Sequence, residues 1–267
     1  MDFYITKLGG SVITNKESGE ASVREEAVAR IADEIKRAST KAQFKLVVVL
    51  GAGPFGHVPV EKYGINNGVR TDEQKKGYEE TRKSMRSLAG KITEIFASQG
   101  VNAKDVQDSA GIKQKNKDVV EFETSHIRQI LGQDNSTIPL MYGDMVPDSE
   151  LGASVISGDV IVSHLAKKLN AKKVFFGTDV DGIYSSDPKS DNGAEAIKKI
   201  TSENFSSVLE GVSGSSATDV TSGMRGKLES IQKNLSGVHT VVFNLNTADN
   251  LYRLLKGETG IGTEVLL

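Results

Sequence analysis

Two lysines bracket a pair of glycines near the start of the chain, in Lys7-Leu-Gly9-Gly10-Ser11 with Lys16 a few residues on. Phe3 to Leu8 reads as a short buried strand that the glycines break. Adjacent glycines after a strand let the backbone approach a ligand closely and turn its N–H groups inward. A lysine on either side adds a mobile cationic tip suited to phosphate oxygens. Taken alone, the same residues also describe a tight turn with two solvated lysines. Three further loops bear on the choice: Gly51-Ala-Gly-Pro-Phe-Gly-His57, Ser157-Gly-Asp159 and Thr178-Asp-Val-Asp-Gly182. Each sets glycine beside histidine or aspartate at a strand end, and a fifth patch, 219–227, brings Lys227. Convergence at the carboxyl edge of one sheet favours phosphate ligands over a collection of unrelated turns.

Other chemistries fit less well. Gly51 to Gly56 matches G-x-G-x-x-G, but it follows the second strand and Pro54 removes an amide from the cradle. Asp72, near the offset of a ribose-binding acid, is better explained as part of a helix cap at Thr71. No G-x-x-x-x-G-K-[ST] occurs, which excludes a P-loop NTPase. Asp179-x-Asp181-Gly182 imitates the start of a calcium loop, yet its glycine falls too early and no glutamate closes it. With no cysteine, disulfides, thiolate metal sites and cysteine nucleophiles are excluded. The formal charge of −2 recruits neither nucleic acid nor an acidic membrane. Lys113-Gln-Lys115-Asn-Lys117 reads as a solvated hairpin turn. The chain shows neither a signal peptide nor a membrane-spanning run, so a cytoplasmic protein is expected.

The elements that must position these loops alternate as strands and helices, the pattern of an α/β fold. The 267 residues allow one large domain. Ser22-Val-Arg-Glu25 reads as a capping box before a helix carrying Val28, Ile31 and Ile35. Phe44 to Leu50 is a continuous apolar run, fit for a strand buried on both faces. Thr71-Asp-Glu-Gln74 is a second capping box, opening a long helix towards Gln99 with a Met85, Leu88, Ile92 and Ile95 stripe. A short strand and a polar hairpin follow, then a helix at 125–131 and a strand at 138–142. Gly143-Asp144 begins a turn-rich excursion to Ile156. Ser157-Gly-Asp159 then starts a helix to Leu169, and Val174 to Gly177 is a buried strand. Lys227 falls on a helix ending near Gly237, followed by a strand at 240–243, a helix at 247–255 and a terminal strand near 262–266. A shift near Asn170 suggests two lobes of one fold, 1–170 and 171–267.

In this order the loops resemble the amino acid kinase family, and within it the branch whose acceptor is isopentenyl phosphate. The resemblance rests on Lys7-Leu-Gly-Gly-Ser11, Gly-Pro-Phe-Gly-His57, Tyr142-Gly-Asp144, Ile156-Ser-Gly-Asp159, Thr178-Asp-Val-Asp-Gly182 with Tyr184, and Asp219-Val-Thr-x-Gly-Met224 with Lys227. His57 is the discriminating residue. The resemblance implies a three-layer αβα sandwich around a largely parallel sheet, with an acceptor-binding amino-terminal lobe, an ATP-binding carboxyl lobe and a homodimer. It implies ATP and Mg2+ as cofactors and no metal ligands from the protein. Lys7 and Lys227 are expected to neutralise the transferring phosphoryl group, Lys16 to stabilise transition-state charge, and Asp159 to orient the lysines. The acceptor phosphate is expected at Gly51, Ala52, His57 and Gly158. The nucleotide is expected at Gly9, Gly10, Ser11, Gly53, Asp179, Tyr184 through Lys189, and Gly223. His57 is otherwise a cap for a short helix at 58–63. His126, His164 and His239 read as structural or solvated, and Asp144 as either a supporting residue or a plain turn aspartate.

Two readings stand beside this one. The histidine loop also occurs in kinases of other small phosphates or phosphonates such as fosfomycin, and a nucleotide-binding sensor would keep the fold without turnover. Three positions depart from the family pattern: Ala52 and Ser222 where glycine is usual, and Val160 where a second aspartate is usual. If position 52 requires a positive φ, its alanine costs on the order of 1 kcal/mol.

Overall fold

The computed structural model describes residues 1–15, 21–133, 136–186, 191, 193–212 and 223–267. The first half runs β1 (Asp2–Leu8), α1 (Gly10–Ile13), β2 (Thr14–Asn15), β3 (Ser22–Val23), α2 (Glu25–Ser39), β4 (Phe44–Leu50) and α3 (Gly53–Lys62). A 3-10 turn at Ile65–Asn67 leads to α4 (Asp72–Ser98), β5 (Ala103–Asp105), β6 (Ile112–Lys115), β7 (Asp118–Phe122), α5 (Ser125–Gln133) and β8 (Ile138–Tyr142). Next come β9 (Asp144–Asp148), β10 (Gly152–Ile156), α6 (Gly158–Leu169), β11 (Lys173–Thr178), β12 (Ile183–Tyr184), β13 (Ala196–Ile197) and β14 (Lys199–Thr201). The chain finishes through α7 (Phe205–Gly211), α8 (Gly223–Asn234), β15 (His239–Asn244), α9 (Asn250–Leu255) and β16 (Thr263–Leu266).

Eight strands form one sheet in the order β14-β16-β15-β11-β1-β4-β8-β5. Its pairs are parallel except β15 with β16, so the architecture is the expected αβα sandwich around a largely parallel sheet. Four of its strands come from 1–170 and four from 171–267. Side chains alternate across the pleat. Tyr4, Leu8, Leu46, Val48, Phe175 and Phe243 meet α2, α4 and α9 on one face. Ile5, Val47, Val49, Val174, Phe176 and Val242 meet α5, α6 and α8 on the other. Phe175, Phe176 and Phe243 are fully buried, each contributing on the order of 2 kcal/mol relative to exposure.

The strand order fixes where chemistry can happen. β1 lies between β4 and β11, with Leu8 level with Leu50 on one side and Gly177 on the other. The chain leaves β1 toward β4 and later returns to β11, so the order reverses there and opens a crevice at the carboxyl ends.

The Thr71 capping box forms as expected: Gln74 N donates to Thr71 Oγ1 at 3.2 Å and Thr71 N to Gln74 Oε1 at 3.1 Å. The Ser22 box does not. Ser22 pairs with Asn15 in the β2–β3 ladder, Arg24 takes the N-cap position without a side-chain cap, and the helix begins at Glu25. Tertiary pairing outcompetes the local cap there. The stretch read as a turn-rich excursion from Gly143 is instead the β9–β10 hairpin, with Asp144 level with Ile156. The expected helix at 247–255 begins only at Asn250.

Two buried carboxylates hold this frame. Glu34 on α2, fully buried, accepts from the amides of Asp249, Leu251 and Tyr252 at 3.1, 3.1 and 3.2 Å, fastening the start of α9. Asp148 accepts from the amides of Asn116, Lys117, Glu150 and Leu151 and from Ser154 Oγ, joining the β6–β7 turn to the β9–β10 turn. That first turn holds Asn116 and Lys117 at φ 49° and 70°, the geometry of a tight hairpin. Lys113 and Lys115 lie exposed in ion pairs with Glu121 and Glu150, so the basic run is a solvated turn.

Candidate active site

The loops after β1, β4 and β11 cross backbone to backbone. Gly9 N donates to Gly177 O at 3.0 Å and Gly51 N to Leu8 O at 2.8 Å. A Cβ at Gly10 would fall on the amide nitrogen of Gly53, and one at Gly51 on the amide of Gly10. These glycines are therefore required first for the approach of one loop to another. Gly53 itself holds φ +51°, a conformation that favours glycine.

The start of α6 seats against the same crossing. Ser157 Oγ accepts from Val160 N at 3.3 Å as the helix cap. A Cβ on Gly158 would meet Leu50 O at 3.1 Å and Lys7 Cε at 3.3 Å, so glycine there brings the helix onto the strand ends. Asp159, the next residue, receives two cations on one oxygen. Lys7 Nζ lies 2.7 Å and Lys227 Nζ 3.0 Å from Asp159 Oδ1. The three residues come from β1, α6 and α8. Lys227 Nζ also sits 4.8 Å from the centroid of the Phe176 ring. Burial pushes the Asp159 carboxyl up, but the charges of Lys227 and Lys7 and their hydrogen bonds outweigh it and hold it well below the usual carboxylate range.

The structure thus unites Lys7, Asp159 and Lys227 with Gly158 packed on Lys7, and it crosses Gly9, Gly10, Gly51 and Gly53 at the neighbouring strand ends, with Ser11 and Ala52 in the same loops. His57 lies half-buried within α3, four residues past its first residue, so it does not cap a helix beginning at Val58. Asp179 follows β11, and Tyr184 pairs with Ala196 in the β12–β13 ladder. Gly223 opens α8. Lys16, Lys189 and 219–222, Ser222 included, lie outside the described residues.

Two departures from the family pattern have structural explanations. Ala52 adopts φ −70° and ψ −36°, so its side chain carries no strain. Ala52→Gly is accordingly expected to lower stability by about 0.5–1 kcal/mol through added freedom of the unfolded chain, measured by urea denaturation. A gain in stability would show that the alanine is strained. Val160 packs against the core on the α6 side of the sheet, an apolar position that an aspartate would burden.

A polar cluster joins Asp144, which the sequence leaves as either a supporting residue or a plain turn aspartate, to two partners that no motif marks, Ser109 and Arg82. Asp144 is buried and accepts from the Ser109 hydroxyl, with Arg82 Nε 3.4 Å from the same oxygen. Burial pushes its carboxyl up, and the Ser109 hydroxyl, the Met145 amide and Arg82 oppose that only in part. The Tyr142-Gly-Asp144 motif was the one available signal, and it gave no partner. The other histidines are structural: His126 Nε2 lies 2.9 Å from Val106 O, His164 stacks on Phe122, and His239 sits in β15 near Glu264. Among the described residues, no group of three His, Cys, Asp or Glu side chains is arranged to hold a metal ion. Nor is any of their helices long and apolar enough to cross a membrane.

Residues 2–244 match the model of the amino acid kinase family. The chain belongs to the amino acid kinase family. Among amino acid kinases, it is 35% identical over 268 residues to the isopentenyl phosphate kinase of Methanothermobacter thermautotrophicus, covering 98% of each chain. It is 36% identical over 268 residues to the enzyme of that name from Methanocaldococcus jannaschii, covering 98% of this chain and 97% of the relative. A crystal structure of an isopentenyl phosphate kinase superposes with a TM-score of 0.84 at 32% identity, covering 98% of this chain and 99% of that one.

Proposed function

We propose that the protein is an ATP-dependent kinase that phosphorylates isopentenyl phosphate to isopentenyl diphosphate. The observation that carries this reading is the pair of ammonium groups on one carboxylate oxygen, set where three glycine loops cross. Phosphoryl transfer asks a protein chiefly to position groups and neutralise charge. Lys7 and Lys227 supply the charge, and Asp159 fixes where their tips stand. Lys16 would add a third cation to the transferring group. The amides around Gly9, Gly10, Ser11 and Gly53 suit nucleotide phosphates, with Asp179, Tyr184, Lys189 and Gly223 on the nucleotide side. Magnesium would enter with those phosphates, as hard cations with one or two protein ligands commonly do.

The acceptor half fits a phosphate monoester. Such a group, with a second pKa of about 6, is largely ionised near neutrality and needs no general base. His57, Gly51, Ala52 and Gly158 would receive it. An apolar cluster of Val60, Ile65, Met145 and Ala153, edged by Tyr63 and Tyr78, stands between α3, α4 and the β9–β10 hairpin as a wall for a short hydrocarbon tail. In this reading 1–170 binds the acceptor and 171–267 the nucleotide, in a cytoplasmic homodimer.

Purified protein given ATP, magnesium and isopentenyl phosphate is expected to release ADP in step with diphosphate formation. Absence of turnover at millimolar acceptor removes the reading, and preference for a phosphonate such as fosfomycin redirects it. His57→Ala is expected to raise the acceptor KM by about tenfold or more, as loss of a charge-assisted hydrogen bond would. An unchanged acceptor KM would take His57 out of the site.

A further inference from the structure

Arg82 and Asp144 carry no role in the reading above, yet they join the helix that supports α3 and His57 to the hairpin that leads into α6. α4 carries α3, and with it His57, by close packing at two glycines among other contacts. The space a Gly77 Cβ would need is filled by the Tyr63 side chain, and a Cβ at Gly56 would meet Met85 Sδ at 3.3 Å. Arg82 stands between Gly77 and Met85 on the same helix. Its guanidinium reaches Asp144, with Nε 3.4 Å from Oδ2, while Nη1 donates to the Tyr78 hydroxyl at 3.1 Å.

Asp144 stands on the side of α6. It lies level with Ile156 in the β9–β10 ladder, two residues ahead of Gly158. Gly143, before it, packs where a Cβ would come within 3.0 Å of Ile156 O and 3.2 Å of Gly158 N. The Gly143–Asp144 start of β9 therefore supports the start of α6, from which Asp159 holds Lys7 and Lys227. The Asp144 side chain is only 1% exposed, against 23% for Arg82. Ser109 donates to the oxygen that faces Arg82, and among the described residues Asp144 Oδ1 has no hydrogen-bond partner. A buried ion pair with a bare oxygen is poor value as a stabiliser, so a geometric role accounts for it better.

We infer that Arg82 and Asp144 are positioning residues that set the gap between His57 on α3 and the Lys7–Asp159–Lys227 cluster. This rests on the proposed acceptor kinase reading. Because in-line transfer is steep in distance, breaking the pair should lower turnover while leaving each substrate's own contacts in place.

The test compares Asp144→Asn, Arg82→Met and Arg82→Lys with wild type, each first checked for a cooperative melt. In Asp144→Asn and Arg82→Met, kcat is expected to fall by about tenfold to a hundredfold per folded molecule, with ATP affinity within about twofold, as misplacement without lost contacts predicts. Arg82→Lys, which keeps the charge, should recover part of kcat. A lowered melting temperature with unchanged kcat per folded molecule overturns the inference, as does a loss confined to ATP affinity. Arg82→Met, at the less buried of the two positions, keeps the test available if Asp144→Asn does not fold. Should wild type bind ATP and isopentenyl phosphate without turnover, the proposed function fails. The gap is then read by calorimetry, as the change in isopentenyl phosphate affinity that a non-hydrolysable ATP analogue produces. Equal changes in wild type and Asp144→Asn overturn the inference, and a wild type that binds neither ligand overturns both.

Discussion

Asp159→Asn is expected to fold and to lose about a thousandfold in kcat, read as acceptor-dependent ADP release, the scale seen when a preorganised charge arrangement is dismantled. The reason is the shared oxygen. Lys7 and Lys227 stand 2.7 and 3.0 Å from the same Oδ1. Two ammonium groups so close repel unless an anion lies between them, and a neutral amide leaves that repulsion standing. Their tips would then separate, and the transferring group would lose both at once. Because the folded carboxyl is held below its ordinary range, its stabilising contribution is complete above the unfolded carboxylate pKa. It disappears only as pH falls through the depressed value. Asp159 is therefore ionised throughout any neutral assay, and an acid limb near pH 6 would report another group. Retention of more than a tenth of wild-type kcat in Asp159→Asn would contradict the role given to it.

The largest stability effect is expected at Asp148, where the β6–β7 and β9–β10 turns meet. Asp148→Asn should cost about 3 kcal/mol in urea unfolding, the scale for stripping charge-assisted hydrogen bonds from a buried acceptor. Five donors converge on this carboxylate, four of them amides of two separate turns. An amide side chain offers one accepting oxygen and turns an N–H2 toward the remaining donors. Burial alone would raise the Asp148 pKa, but the Lys117, Glu150 and Leu151 amides and the Ser154 hydroxyl lower it well below the usual range. Its stabilisation is thus present above the unfolded carboxylate pKa and is lost as pH falls through the folded one. The wild-type to Asp148→Asn difference should shrink in strong acid. A difference that stays constant down to pH 2 would mean the charge is irrelevant.

The sheet was readable because its strands are continuous apolar runs. Phe44 to Leu50 and Val174 to Gly177 carry enough β-branched and aromatic side chains to be buried on both faces, and both are. The Thr71 cap was readable because its partner, Gln74, is three residues away. Where the partner is remote, local signals failed. Ser22 looks like a helix cap and is a strand residue, because Asn15 lies across from it. Glu34 resembles any solvent-facing helix glutamate, yet it is buried against amides more than two hundred residues later. The candidate site divides in the same way. Glycines beside lysine, histidine and aspartate at several strand ends favour a phosphate-binding edge over unrelated turns from types and spacing alone. That Lys7, Asp159 and Lys227 come together follows from no spacing; the family resemblance implied that Asp159 orients the lysines, and their shared oxygen is seen only in the fold. Asp144 was visible in a motif, but Arg82, across a layer, was not.

The crossing of the glycine loops also limits how this sequence can drift. A side chain at Gly51 would need the room of the Gly10 amide, and one at Gly10 the room of the Gly53 amide. No rotamer elsewhere can absorb an added methyl, since peptide planes and not side chains are in contact. A side chain at either position runs into backbone of the next loop, so single-step changes at Gly10 or Gly51 are shut. The crossing is an inherited lock, and variation in this fold has to accumulate around it.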